Sequence, residues 1–288
     1  MVSAETSLDS AYAHCADVAR RHYENFPVAS SLVPAGMRPH IAAVYAFARA
    51  ADDFADEPGR APEERLRLLD AWQDQLHRTA TGGAADNPVF RALENTIREC
   101  SLPVQLFDDL LSAFRQDVTV HRYDTWTDVL DYCRRSANPV GRLVLRIAGV
   151  DRPDADRCSD ALCSALQLTN FWQDFGVDWR NGRLYVPREE TAKYDALESD
   201  LALGRMTPEW KSALAGSVAV TRALFGEGRP VTSFVTGRLK YELRATWLGG
   251  LTMLERVERS GYMVLDHRPE LGAMDIARIT ASTLLWKA

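Results

Sequence analysis

The chain has 288 residues, 46% of them hydrophobic and 26% charged, the proportions of a soluble globular protein. That length suits one large domain or two small ones, with roughly three quarters of the unfolded surface buried on folding. A net charge of −6 argues against general nucleic-acid binding and against tight electrostatic docking on an anionic membrane.

No apolar stretch approaches the ~18 residues of a transmembrane helix. The opening residues, MVSAETSLDSAYAHC, have neither a basic nor an apolar region of the secretory kind. Cys15, Cys100, Cys133, Cys158 and Cys163 are odd in number and scattered, without a CxxC pair. They read as reduced thiols, so a cytoplasmic protein is expected.

Strand-like alternation is nearly absent, and apolar residues recur at helical spacing. The spacing predicts helices over 6–23, 38–57, 61–80, 86–100, 103–117, 125–148, 152–180, 207–227, 231–262 and 270–286. Pro and Gly mark the breaks, at Pro34–Gly36, Pro58–Gly59, Gly82–Gly83, Pro103, Asp151–Pro153, Gly182–Pro187 and Gly226–Pro230. No break is long enough for an interdomain linker. The expectation is an all-α protein, a single domain over 1–288.

The helix over 38–57 carries the first acidic cluster. Asp52 and Asp56 lie four apart and share a face, with Arg49 one turn earlier on the same side. Two carboxylates so spaced grip a hard divalent cation. Arg49 would reach a phosphate oxygen beyond it. Acid at a helix C-terminus opposes the macrodipole, which favours a use other than stability. The competing reading is an ordinary solvated helix end in a chain with 40 acidic residues.

In the helix over 125–148, Asn138-Pro139 predicts a kink, because Pro removes a backbone donor and clashes with the preceding turn. Arg134 and Arg135 just before it read equally as anion ligands or as helix-pairing residues. Residues 161–179, ALCSALQLTNFWQDFGVDW, carry the second cluster. Asn170, Asp174 and Asp178 form one stripe, which Gln167 extends back a turn; Gln173 is a further polar side chain on this helix. A helix apolar on its other faces should be buried, and its acids then need a counter-charge: magnesium, or arginines from elsewhere. Two such stripes facing each other describe a diphosphate clamp bridged by magnesium, an ion that keeps waters and shares substrate phosphates. Gly176 would allow close approach of another backbone or a ligand.

The ordered set resembles the squalene/phytoene synthase family. It comprises His22-Tyr23-Glu24-Asn25-Phe26, Tyr45…Arg49-x-x-Asp52-x-x-x-Asp56, Gln167-x-x-Asn170-x-x-x-Asp174-x-x-x-Asp178 and Arg183-Leu184-Tyr185-Val186-Pro187. The likeness runs from about residue 12 to the C-terminus. It implies an isoprenoid synthase fold with helices around a deep central cavity. It also implies magnesium on Asp52, Asp56, Asn170, Asp174 and Asp178. Around the diphosphate it places His22, Tyr23, Asn25, Tyr45, Arg49, Gln167 and Gln173.

Departures from the family pattern sharpen this. Where condensing members carry a catalytic Tyr in a Tyr-Cys-Tyr-like segment, this chain has Arg134. Gln173 replaces an Arg, Tyr23-Glu24-Asn25 replaces a Ser/Lys-rich loop, and Gly250 stands at a downstream Tyr position. The phrases HYENFPVAS, FARAADDFADE, YCRRSANPVGR and NFWQD resemble one bacterial branch. That branch converts presqualene diphosphate and water to hydroxysqualene, without NADPH, between two sister enzymes of the squalene pathway. The catalytic set so implied is Asp52, Asp56, Asp174 and Asp178, with Arg134 and Asn138 steering cation and water. So apolar a substrate is compatible with peripheral membrane contact. Alternatives are a condensing synthase making presqualene diphosphate or phytoene, a class I terpene cyclase, and a non-catalytic assembly factor of the same fold.

Overall fold

A computed structural model describes residues 7–21, 32–57, 59–83, 85 and 87–286. His22, Tyr23 and Asn25, expected around the diphosphate, lie outside them. The described residues form α-helices and 3₁₀ turns, with no strand. In chain order the helices are α1 (Leu8–Arg21), α2 (Arg38–Asp56), α3 (Pro62–Ala80), α4 (Pro88–Cys100), α5 (Val104–Thr119), α6 (Trp126–Ser136) and α7 (Asn138–Ile147). They continue as α8 (Pro153–Gln173), α9 (Phe175–Arg180), α10 (Arg188–Ala192), α11 (Glu198–Ala202), α12 (Pro208–Gly228), α13 (Gly237–Arg259) and α14 (Ala273–Leu284).

Most helices fall where periodicity predicts them, and the differences have local causes. The kink expected at Asn138-Pro139 is a full break at Ala137, which separates α6 from α7. The helix expected over 152–180 bends at Asp174 into α8 and α9. Backbone bonds from Asp174 N to Asn170 O and from Asp178 N to Asp174 O, both 2.8 Å, carry the ladder through the bend. The stripe spacing therefore survives. The helix expected from 231 starts only at Gly237, at φ +60, after a 3₁₀ turn over Arg229–Ser233. Helices α10 and α11, five residues each, are too short to show a period and were not expected.

The chain divides into two compact units. The first comprises Met1–Thr119 and Pro139–Arg152. Here α2 packs against α1, α3, α4 and α5. Its inner face is mostly alanine (Ala42, Ala43, Ala46, Ala51, Ala55), which lets neighbouring backbones approach. The gaps are filled by aromatics. Phe47 meets Trp72, Phe90 and Phe107 at ring separations of 5.9, 5.9 and 5.3 Å. A half-buried polar knot ties three helices: Tyr12 and Thr96 hydroxyls lie 2.9 Å apart, His40 Nδ1 is 3.0 Å from Thr96 Oγ1, and Asn95 Nδ2 donates to Tyr12 at 3.0 Å.

The second unit comprises Val120–Asn138 and Pro153–Ala288. Helix α8 runs through it against α6, α12 and α13. Two glycines permit these approaches. A Cβ on Gly228 would stand 2.6 Å from the backbone nitrogen of Leu162, and one on Gly250 would stand 2.4 Å from Leu166 Cδ2 and 2.9 Å from the Phe225 ring. Trp172 is fully buried and donates its indole N–H to Thr221 at 2.8 Å. Residues 184–188 are held alongside 121–123 by backbone bonds from Leu184 N to His121 O and from Arg188 N to Tyr123 O, each 3.0 Å.

Candidate active site

In the first unit, Tyr45, Arg49, Asp52 and Asp56 follow one another along the outer stripe of α2. Ala46, Phe47, Ala51 and Ala55 occupy its buried side. Tyr45, Arg49 and Asp52 are half-buried and Asp56, the last residue of the helix, is exposed. Arg49 is braced by two acids, its Nη1 lying 3.4 Å from Asp52 and its Nη2 2.7 Å from Asp53. Desolvation works against its charge, yet Asp53 and Asp52 hold the guanidinium above the ordinary arginine range. Its Nε is buried without a hydrogen-bond partner among the described residues. Sequence spacing placed Arg49 with Asp52 and Asp56 but overlooked Asp53, its nearest partner.

In the second unit the polar stripe of α8 behaves as its pattern requires. Gln167, Asn170, Gln173, Asp174 and Asp178 are all half-buried, while Ala165, Leu168, Thr169, Phe171 and Trp172 are buried. Asn170 Nδ2 donates to Asp174 Oδ2 at 2.9 Å. Asp174 also accepts from Arg268, through Nε on one oxygen and, at 3.4 Å, through Nη2 on the other. Gln173 Nε2 donates to the Pro269 carbonyl at 2.9 Å. Asp174 thus has an arginine counter-charge, one of the two solutions expected for its stripe. Arg268 lies 94 residues away, and nothing in the sequence pattern connects the two.

Arg134 and Arg135 converge on one carboxylate. Arg134 Nε donates to Asp131 Oδ1 at 2.9 Å and Arg135 Nε to Asp131 Oδ2 at 3.0 Å. Burial acts to raise the Asp131 carboxyl, and the two arginines more than offset it, holding it below the usual range. Asn138 is buried at 7% exposure and accepts from Ser164 Oγ at 2.9 Å, which ties the break after α6 to α8. The same region holds an aromatic cluster that no spacing revealed. Phe171 stacks on Tyr185 at 3.6 Å with planes 2° apart, and Tyr132 and Tyr123 lie 6.1 and 5.8 Å from Tyr185.

Among the described residues, no group of three or more His, Cys, Asp or Glu side chains is arranged to hold a metal ion by itself. The donors fit magnesium nonetheless. Each stripe offers hard oxygens, two carboxylates on α2 and two carboxylates with an amide across α8 and α9. Magnesium usually takes only one or two protein carboxylates and completes its octahedron with water and substrate phosphate.

An all-helical fold carrying two acid stripes of this spacing defines an isoprenoid synthase. The chain belongs to the squalene/phytoene synthase family, whose sequence pattern it matches over residues 19–275. It is 38% identical to a hydroxysqualene synthase of Rhodopseudomonas palustris over 211 residues, covering 73% of this chain and 70% of the relative. It is 28% identical to a 15-cis-phytoene synthase of Synechococcus elongatus over 296 residues, covering 96% of each. Among solved structures, squalene synthase HpnC from Alicyclobacillus acidocaldarius superposes with a TM-score of 0.83 at 43% identity, over 88% of this chain and 95% of that one. A dehydrosqualene synthase shares the fold, with a TM-score of 0.86 at 22% identity over 97% of each chain.

Proposed function

We propose that the protein converts presqualene diphosphate and water to hydroxysqualene and diphosphate. The observation that carries this reading is Arg134. It stands where condensing members of the family hold a catalytic Tyr, and its guanidinium is tied to Asp131 rather than offering a phenol. Similarity to hydroxysqualene synthases of three organisms, at 38%, 36% and 38% identity, supports the same reading.

Asp52 and Asp56 on α2, and Asn170, Asp174 and Asp178 across α8 and α9, would hold magnesium. Bound magnesium would supply Lewis-acid stabilisation of the departing diphosphate. Arg49, kept charged by Asp52 and Asp53, would bind diphosphate oxygen together with Tyr45, Gln167, Gln173, His22, Tyr23 and Asn25. Loss of the diphosphate breaks its C–O bond and leaves a cyclopropylcarbinyl cation. Apolar side chains would fold the two lipid arms so that this cation rearranges to the linear skeleton. Water then forms the new C–O bond and gives up a proton. Capture by water supplies no hydride, so no nicotinamide takes part. Asn138, fixed by Ser164, would position that water. The lipid would come from one sister enzyme and pass to another, with contact at the membrane surface.

The test is direct. Purified protein with magnesium is incubated with presqualene diphosphate in one reaction and farnesyl diphosphate in another, and the lipids are identified by mass spectrometry. Hydroxysqualene from the first and nothing from the second is expected, with loss of product in Asp52→Ala and Asp174→Ala. Presqualene diphosphate or phytoene-like product from a prenyl diphosphate would refute the assignment.

A further inference from the structure

The segment between α13 and α14 is fastened onto the end of α8 at several points. Leu265 O occupies the space a Cβ on Gly176 would need, only 1.9 Å from that position. Arg180 Nη1 donates to the same carbonyl at 3.2 Å. Gln173 holds Pro269 O at 2.9 Å. These three attachments fix the backbone on either side of Arg268, and none of them uses a charge on the stripe. Arg268 then lays its guanidinium across both oxygens of Asp174, the central acid of the second cluster. Asn170 takes a further position on Oδ2 at 2.9 Å. A carboxylate spanned in this way has less acceptor capacity left for a divalent cation, and the guanidinium and the cation repel each other across it.

We propose that Arg268 is an exchangeable counter-ion. It neutralises Asp174 before the metal binds and is displaced when magnesium arrives with the diphosphate, to which the released guanidinium then pairs. The proposal rests on the reading that Asp174 is a metal ligand. Two features suit the exchange. The Arg268 side chain is 44% exposed, so it has solvent to swing into. The backbone is anchored independently, so the side chain moves without unfolding the segment. The device gives a half-buried acid stripe a counter-charge of its own and couples metal entry to substrate entry.

The experiment measures metal affinity, not turnover. Binding of Mn²⁺ by electron paramagnetic resonance is compared in the wild type, Arg268→Gln, Arg268→Lys and Asp174→Asn, first alone and then with inorganic diphosphate. Without diphosphate, Arg268→Gln should bind Mn²⁺ about twofold to fivefold more tightly, the worth of a half-exposed ion pair. With diphosphate the order should reverse, because the released guanidinium is missing. Arg268→Lys keeps the charge but not the fork and should fall between; it also carries the test if the Gln variant folds poorly. A purely structural role for Arg268 would not raise metal affinity. Unchanged or weaker Mn²⁺ binding in both Arg268 variants, with Asp174→Asn impaired, overturns the exchange and leaves the metal site standing. Wild-type binding in Asp174→Asn overturns both.

Discussion

Substitution of Gly176 by Ala sets two physical effects of opposite sign against each other. In a helix, Ala is favoured over Gly by about 1 kcal/mol, so propensity alone predicts that α9 is stabilised. The packing predicts the reverse. The new Cβ would lie 1.9 Å from Leu265 O, 2.6 Å from Leu265 C and 2.9 Å from Val264 O, all backbone atoms that cannot rotate away. Overpacking of this kind costs about 1–3 kcal/mol, and the upper end applies where backbone must move. If the segment retreats, the bond from Gln173 to Pro269 goes with it, at about 1 kcal/mol. The ion pair of Arg268 with Asp174 is half-exposed and adds at most about 1 kcal/mol. The net expectation is a loss of about 2–4 kcal/mol, a fall in Tm of roughly 4–16 °C for a unit of this size. Urea unfolding followed by circular dichroism, with a thermal melt beside it, measures this. A variant as stable as the wild type, or more so, would show that the segment over Gly176 is not held as described.

Other consequences are equally open to measurement. Asp275 is buried at the start of α14, where the Gly272 amide, chiefly, and Arg256 hold its carboxyl below the usual range. A depressed native pKa means the stabilisation is complete above the unfolded value of about 3.9 and lost as pH falls through the native value. The Tm gap between wild type and Asp275→Asn should therefore be constant near neutrality and narrow progressively below about pH 4; a gap as wide in acid as at neutrality contradicts this. Asn138→Ala leaves the buried Ser164 hydroxyl without its acceptor, costing about 1–3 kcal/mol, and should shift the ratio of alcohol to elimination products; an unchanged ratio removes Asn138 from the water-positioning role. Burial pushes the Cys15 and Cys133 thiols up to about 12. Both should resist iodoacetamide at pH 8 in the folded protein while Cys100, Cys158 and Cys163 react faster, as mass spectrometry of the modified peptides would reveal.

The sequence by itself determined the class of fold and the local register of the site. Helical periodicity is a property of neighbours three and four apart, so α2 and α8 were legible, and with them the stripes of Tyr45, Arg49, Asp52 and Asp56 and of Gln167, Asn170, Asp174 and Asp178. Pro139 announced its break for the same reason, since its ring acts on the turn just before it. Tertiary structure decided what each side chain meets from outside its own helix. Arg268 on Asp174, Ser164 on Asn138, and Tyr185 against Phe171 join residues between 14 and 94 positions apart. Such pairings depend on how whole helices pack and leave no periodic trace. Arg49 stands on the local side of this division: its partners Asp53 at 2.7 Å and Asp52 at 3.4 Å are its own i+4 and i+3 neighbours on α2. Spacing therefore identified the carboxylates, while the packing of distant segments set the charges that hold them.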